Sequence, residues 1–286
     1  MTTATTDFRV GTLDPDEMIA AAREATGLTE FGAPDVRGPL KALCDSINTE
    51  SNIKPDGEAR RRAALVGALI NRLKLNNAIT QHPEIEQEKI VKPIIVIGMS
   101  RSGTTKLQRI LAAGPDVQSL PLWRLQRPFP IAPPGPGKPD PRIALTQAFV
   151  DQKRTEAPDE YAAHPMYAEQ ADEEVYAMEM AFLANINATA YTAPSFDTWI
   201  NKQDFEPWYV WFKRYLQYVQ WEDGTAGKPF VLKAPHHLGF MPLVFKYFPD
   251  AIIVHTHRDP STAVASFASL AQAARAATVS AEAGPS

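Results

Sequence analysis

The spacing of apolar residues divides the chain into a helical N-terminal part and a mixed part that follows it. In the first ninety residues, apolar side chains recur at helical intervals, as Leu65, Leu69 and Leu73 do in one amphipathic stretch. Asp14 and Gly27 bracket an earlier stretch, at the positions of a helix N-cap and a C-terminal glycine. We therefore predict a helical N-terminal annex over residues 1–90.

From residue 91 onwards the pattern changes to short apolar runs that are rich in β-branched residues. PIIVIG, KPFVLKAP and DAIIVHTHRDP each contain a run typical of a strand buried on both faces of a parallel sheet. Helical patterns follow these runs, which favours strand–helix–strand units. We predict an α/β domain over residues 91–277, with a P-loop-like parallel sheet flanked by helices, and a tail over residues 278–286.

Three segments between these strands have patterns of their own. Seven prolines from Pro128 to Pro141 predict an ordered loop or a lid. The acidic stretch AEQADEEVYAMEMAFLANI predicts a helix. A later aromatic stripe at helical spacing predicts a core helix more than a ligand site; its residues are Trp208, Trp211, Phe212, Tyr215 and Val219.

Composition narrows the classes of function. The net charge is −4 and no basic block occurs, which disfavours binding to nucleic acid. No apolar run approaches the roughly 18 residues of a membrane span, and the N-terminus has no signal-peptide pattern, so we expect a cytoplasmic protein. The single cysteine, Cys44, excludes an internal disulfide and a cysteine-based zinc site, and its helical context predicts a packed core residue.

Three of the predicted strands are followed by polar residues that a loop serving only to connect two elements would not need. They form the segments 100–105, 233–237 and 255–259. Ligands of open parallel sheets bind at the carboxyl ends of the strands, so the three segments are expected to form one site.

The first segment has the spacing of a phosphate-binding loop without its lysine. Gly98 and Gly103 are separated as in a Walker A loop, but Thr104 occupies the lysine position and Arg101 lies inside the loop. Successive backbone N–H groups and a helix N-terminus favour an anion, and the guanidinium adds a permanent cation. The loop is therefore predicted to bind an anion, and its pattern alone leaves the identity of that anion open.

GMSRSGTTKL resembles the phosphosulfate loop of sulfotransferases. HRDPSTAVASFASL is similar to their 3′-phosphate-binding strand and helix, in which a serine follows an arginine by eight residues, as Ser266 follows Arg258. The similarity runs from Lys92 to Leu270 and is strongest to bacterial, notably mycobacterial, members of the family.

The resemblance implies a transferase that moves a sulfuryl group from 3′-phosphoadenosine 5′-phosphosulfate to a small apolar acceptor with a hydroxyl, without a metal. Arg101 would stabilise charge on the leaving phosphate, as a preorganised cation does. The backbone amides from Ser102 through Gly103 and Thr104 to Thr105 would bind the phosphosulfate. Two further residues would bind the 3′-phosphate, namely Arg258 and Ser266.

The residue that deprotonates the acceptor is left open by the sequence. Relatives place a lysine on the second strand with a histidine two residues later, whereas Lys233 here is followed by histidines at plus three and plus four, His236 and His237. Either histidine is a candidate general base, and Lys233 is a further candidate catalytic residue by the same resemblance. The alternatives are His164, Glu173 and Glu174.

The chain departs from the family pattern in two ways. Arg124 stands where relatives often have a glutamate, and the chain ends sooner after the Arg–Ser helix than is usual, so it lacks the usual C-terminal portion. A nucleotide-binding protein without turnover, and a nucleotide kinase, are therefore kept as alternatives. Trp123, Phe129 and Tyr167 are candidates for the acceptor pocket, and the N-terminal helices are a candidate surface for a homo-oligomer.

Overall fold

The computed structural model describes residues 13–131, 137–183 and 191–279. Its strands are short and its helices numerous, with 3₁₀ turns at Pro83–Gln87, Glu179–Ala181 and Pro235–Gly239. In chain order the elements are α1 (Pro15–Thr26), α2 (Arg37–Glu50), α3 (Pro55–Gln81), β1 (Ile94–Ile97), α4 (Thr104–Ala112), β2 (Gln118–Ser119), α5 (Leu122–Gln126), α6 (Pro141–Glu156), α7 (Pro158–Ala163), α8 (Val175–Met178), α9 (Pro194–Ile200), α10 (Glu206–Asp223), β3 (Phe230–Lys233), α11 (Met241–Tyr247), β4 (Ile252–His255) and α12 (Pro260–Thr278).

The four strands form one parallel sheet in the order β2-β3-β1-β4. Ile95 of β1 pairs with Leu232 of β3 on one side and with Ile253 of β4 on the other. The predicted α/β class and P-loop-like sheet are thus confirmed, and the carboxyl ends of β1, β3 and β4 lie at one edge. The sequence did not predict β2, because two polar residues carry no strand pattern.

Helix caps follow the predicted chemistry. The Asp14 carboxylate accepts hydrogen bonds from the backbone N–H groups of Asp16 and Glu17, and α1 ends at Gly27 in the left-handed conformation, with a φ of 68°. Asp259 caps α12 in the same way by accepting from the Thr262 N–H at 3.1 Å. Side-chain capping of orphan helix donors fixes where both helices begin.

Two apolar clusters fill the interior. The first packs α10 and the aromatic stripe against the sheet, which confirms that the stripe is core. The second joins α1, α2 and α3 with side chains from α9, and Cys44 lies buried within it. Because α3 supplies Leu73 to the second cluster and Leu75 to the first, the division at residue 90 stays a prediction.

The predicted acidic helix is interrupted. Within its described part only α8 and the turn Glu179–Ala181 are helical, while residues 172–174 form a connection that precedes them. The carboxylates there turn inward to meet cations and backbone donors, and this competes with helix formation. The rest of that stretch, the centre of the proline-rich loop and the end of the tail lie outside the described residues.

No helix in the described ranges is long and apolar enough to cross a membrane.

Candidate active site

The loop after β1 approaches the end of β4 so closely that only glycine fits between them. Gly98 has a φ of +151°, and a Cβ there would lie 2.4 Å from Thr256 Oγ1 and 2.7 Å from the carbonyl oxygen of Thr256. The hydroxyls of Ser102 and Thr256 are 2.7 Å apart. Gly98 therefore permits the contact that joins the loop to the β4 end.

Arg101 projects from this loop with a backbone that arginine rarely adopts. Its φ is 72°, in the left-handed region. Its Nε–H donates to Ser266 Oγ at 3.0 Å, and Nη1 donates to the carbonyl oxygen of Ala163 at 2.6 Å. The guanidinium thus spans from the loop to α12 and α7.

Arg258 completes this group at the end of β4. Its Nη1 donates to the carbonyl oxygen of Arg101 at 2.8 Å, and the residue is exposed. Hydrogen bonds therefore connect Arg101, Arg258 and Ser266, which come from three separate segments of the chain.

The N-terminus of α4 faces the same region. Gly103 caps the helix in the left-handed conformation, with a φ of 92°, and a Cβ on it would meet nothing within 4 Å. The first helical hydrogen bond runs from the Leu107 N–H to the Gly103 carbonyl oxygen, at 3.2 Å. The amides of residues 104–106 therefore have no helical acceptor, which is the arrangement that binds anions at helix N-termini.

A cavity of about 1380 Å³ opens beside the loop. Its polar lining includes Arg101, Thr104, Thr105, Glu173, His236 and Arg258. Single-ligand pockets usually measure about 300–1,000 Å³. This cavity is large enough for two reactants side by side.

Part of the cavity lining is apolar. Its apolar residues include Ile110, Val175, Tyr176, Leu238, Phe240, Phe267 and Leu270. Ile110 of α4 is 62% exposed and lines the cavity. The buried positions of α4 are Thr104 and Gln108.

Three consecutive carboxylates each have a cationic or imidazole partner. Asp172 lies 3.4 Å from Arg109 Nη2 and 3.5 Å from His164 Nε2. Glu173 forms an ion pair with Lys233. Glu174 Oε1 lies 2.8 Å from His237 Nε2.

The pKa of Asp172 is lowered by this surrounding. Burial alone would raise it, but the hydrogen bond and charge of His164, together with the charge of Lys233, outweigh burial. Asp172 Oδ1 also accepts from the Glu173 N–H at 2.7 Å. The carboxylate row is therefore held rigidly beside the cavity.

The two adjacent histidines lie in different surroundings. His236 lines the cavity, and burial lowers its pKa against the opposing charge of Glu173. His237 is fully buried and does not line the cavity; its Nδ1 lies 2.9 Å from the Tyr209 hydroxyl. Lys233 is also fully buried, behind Glu173.

The three aromatic residues that the sequence suggested for the acceptor pocket are not among the residues that line the cavity. Trp123 stacks with the guanidinium of Arg142, Phe129 packs on Tyr218, and Tyr167 packs on Arg109. The cavity instead uses Tyr176, Phe240 and Phe267, which the sequence analysis did not select. Of these, Phe267 could most readily have been identified from the sequence, because it directly follows Ser266.

Arg124, which replaces the glutamate often found in relatives, has a structural position. Its side chain is 2% exposed and pairs with Glu222 and with Asp223, the latter at 2.9 Å. It does not line the cavity, so no catalytic carboxylate can be expected from this position.

Comparison with known proteins agrees with this geometry. The model of the sulfotransferase family matches residues 93–283. Sulfotransferase STF1 of Mycobacterium tuberculosis H37Rv is similar, with 32% identity and a TM-score of 0.81, over 96% of this chain and 74% of that chain. Sulfotransferase STF9 of Mycobacterium avium has 26% identity and a TM-score of 0.82, over 98% of this chain and 70% of that chain.

No curated protein matches the chain significantly. The family model nevertheless covers well over half of the residues, and the similarity to the two mycobacterial enzymes extends over nearly all of them. The chain is thus a transferase that belongs to the bacterial sulfotransferase family.

Proposed function

We propose that the protein transfers a sulfuryl group from 3′-phosphoadenosine 5′-phosphosulfate to the hydroxyl of a small apolar acceptor. The observation that carries the proposal is the convergence of Arg101, Arg258 and Ser266 through direct hydrogen bonds beside the open N-terminus of α4. Two guanidinium groups and a row of backbone amides suit a ligand with anionic groups at two positions.

The residues present fit this donor. Backbone amides of residues 103–105 would bind the 5′-phosphosulfate, since Gly103 leaves open space above them, whereas the Ser102 N–H already donates to the Met99 carbonyl oxygen at 3.1 Å. Arg258 is exposed and would bind the 3′-phosphate together with Ser266. Because Ser266 Oγ already accepts from Arg101, donor binding would replace one hydrogen bond with others to the ligand.

The chemistry balances without a metal. The acceptor oxygen loses its proton to a base and attacks sulfur, and the bond from sulfur to the bridging oxygen breaks. The electron pair of that bond leaves with the phosphate, as adenosine 3′,5′-bisphosphate. Arg101 would stabilise this charge, and its guanidinium does so as a fixed cation because it stays ionised.

Several side chains that line the cavity can accept a proton, among them Glu173, His164 and His236. We assign this role to Glu173. The Lys233 ammonium pairs with its carboxylate, and its backbone N–H donates to Asp172 Oδ1, so both contacts hold Glu173 in place at the cavity. Burial lowers the pKa of His236, and its neutral ring is the competing base.

The acceptor class follows from the apolar residues that line the cavity. Phe267, Leu270 and Ile110 present apolar surface to it, and Glu173 and His236 line the same cavity. An alcohol with an apolar body would bury that surface and direct its oxygen towards Glu173.

The test is an assay for paired products. The protein is incubated with the sulfate donor and a panel of apolar alcohols and phenols, and adenosine 3′,5′-bisphosphate and sulfated acceptor are measured together. Equimolar release of both products supports transfer. Tight binding of adenosine 3′,5′-bisphosphate without any sulfated product would favour a binding protein without turnover.

A further inference from the structure

A buried hydrogen-bonded chain lies directly behind the cavity and has no part in the transfer as described above. Its members are Glu174, His237 and Tyr209, and none of the three side chains is exposed to solvent. Burying three polar groups together is costly unless each is satisfied by a partner. Each of these groups forms a hydrogen bond with the next, so the three side chains hold one another in fixed positions.

The donors and acceptors of this chain are all matched when the His237 ring is neutral. Burial, reinforced by the charge of Glu174, raises the pKa of Tyr209, so its phenol stays protonated and can donate. The Tyr209 hydroxyl lies 2.9 Å from His237 Nδ1, and His237 Nε2 lies 2.8 Å from Glu174 Oε1. If Nδ1 accepts from the phenol, Nε2 carries the proton and donates it to the carboxylate.

The second oxygen of Glu174 joins the chain to the sheet. Oε2 accepts from the backbone N–H of Lys233 at 2.7 Å, at the last residue of β3. The Lys233 ammonium pairs with Glu173, which is the residue next to Glu174 in the sequence. Glu174 thus holds the Glu173–Lys233 pair in two ways. It is joined to Glu173 by the peptide bond, and its carboxylate binds the backbone of Lys233 in β3.

We propose that Glu174, His237 and Tyr209 form a positioning chain that fixes the Glu173–Lys233 pair at the cavity and holds His237 in its Nε2–H form. The proposal gives His237 a positioning role in place of the base role that its sequence position suggested. Its importance for catalysis rests on the proposed function, in which Glu173 accepts the proton. The hydrogen-bond arrangement itself is testable without any substrate.

Glu174→Gln is the most informative substitution, because it keeps the shape and changes the donor pattern. A glutamine offers one acceptor oxygen, while Glu174 faces two donors. The backbone N–H of Lys233 cannot change, so it keeps the oxygen, and the glutamine NH₂ then faces His237 Nε2. The imidazole must move its proton to Nδ1 and donate it to the Tyr209 oxygen.

Long-range ¹H–¹⁵N correlation spectra of the histidine rings at pH 8 measure this directly. Among the six histidines, the His237 signals are those lost in His237→Gln and kept in His236→Gln. We expect the Nε2–H form in the wild type and the Nδ1–H form in Glu174→Gln. The exposed Glu169, from the segment that precedes the carboxylates, provides the matched control Glu169→Gln, in which the Nε2–H form is kept.

The ammonium signal of Lys233 reports whether the chain acts on the ion pair. We expect a slowly exchanging signal that is lost in Lys233→Met, kept in Glu174→Gln and broadened or lost in Glu174→Leu, which has no acceptor for the β3 end. If Glu174→Leu does not fold, Tyr209→Phe replaces it. That variant removes the donor to Nδ1 while Glu174 still accepts from Nε2, so we expect the Nε2–H form to be kept and the Lys233 signal to broaden.

The proposal is overturned if wild-type His237 carries its proton on Nδ1, or if Glu174→Gln leaves the tautomer unchanged. An unchanged Lys233 signal in a folded Glu174→Leu variant would overturn the positioning role. These spectra need no acceptor, so their outcome is separate from that of the sulfuryl-transfer assay.

Discussion

Arg101 combines a strained backbone with side-chain contacts to two helices. Its φ of 72° is costly for a residue with a Cβ, and its guanidinium contacts Ser266 and Ala163. A structural turn at this position would use glycine at less cost. The arginine is thus retained for what its side chain does.

Arg101→Gly and Arg101→Ala form a matched pair that separates these two properties. Both remove the same side-chain hydrogen bonds, but only glycine relieves the left-handed backbone. We expect the glycine variant to be more stable than the alanine variant by about 1 kcal/mol, measured by urea unfolding. Both should lose transferase activity. Equal stability would contradict the strain seen at this residue.

Glu173 is the carboxylate whose substitution should affect chemistry and not donor binding. We expect Glu173→Gln to lower kcat by about 10²–10⁴-fold, the usual contribution of a general base. The affinity for adenosine 3′,5′-bisphosphate, measured by calorimetry, should stay the same.

Glu169→Gln serves as the control for Glu173→Gln and should retain the wild-type rate. His236→Gln distinguishes the competing base. A larger fall in kcat for His236→Gln than for Glu173→Gln would refute the assignment and transfer the role to the histidine.

His236 should make stability depend on pH on the acidic side of neutrality. Burial lowers its folded-state pKa below the unfolded value, so the unfolded chain binds the proton more readily. The free energy of unfolding should therefore fall as pH drops below about 6.5, until the folded-state pKa is passed. The difference between wild type and His236→Gln in urea unfolding at several pH values isolates this effect, and a difference that is constant with pH would contradict it.

Among the elements, the sequence predicted three strands of the sheet correctly but not the structure of the acidic segment. The β-branched runs located β1, β3 and β4, because burial on both faces leaves a continuous apolar pattern. Asp14 predicted the start of α1 through local chemistry. The residues 172–174 followed a helical pattern, but tertiary contacts with Arg109, Lys233 and His237 prevailed.

The close contact between Gly98 of the β1 loop and Thr256 at the β4 end can be tested by substitution. Gly98→Ala would introduce a Cβ that overlaps Thr256, and it would also strain the backbone. We expect a loss of stability of about 2 kcal/mol or more and weaker binding of adenosine 3′,5′-bisphosphate.

Gly103→Ala is the control for Gly98→Ala, because it also has a positive φ but its Cβ would meet nothing within 4 Å. It should lose less stability in thermal unfolding than Gly98→Ala. An equal loss would mean that the close contact with Thr256 adds nothing beyond backbone strain.

At the scale of the whole molecule, the sequence predicted which strand ends meet, since parallel strands share one carboxyl edge. It could not rank His236, His237, Glu173 and Glu174, because adjacent residues of equal chemistry differ only in the direction they face. That direction is set by contacts far along the chain, such as the one between Tyr209 and His237. The apolar lining of the cavity was missed for the same reason, as Phe267 and Tyr176 come from distant elements.

The proposed function requires a site that distinguishes a nucleotide with a 3′-phosphate from one without it. The most direct measurement compares adenosine 3′,5′-bisphosphate with adenosine 5′-monophosphate by isothermal titration, without magnesium, for the wild type and for Arg258→Ala. We predict that the wild type prefers the bisphosphate and that Arg258→Ala weakens bisphosphate binding by about 10- to 100-fold, the usual contribution of one charge-assisted contact, while binding of the monophosphate is unchanged. Equal affinity of the wild type for both ligands, or an equal loss for both in the variant, would contradict the account.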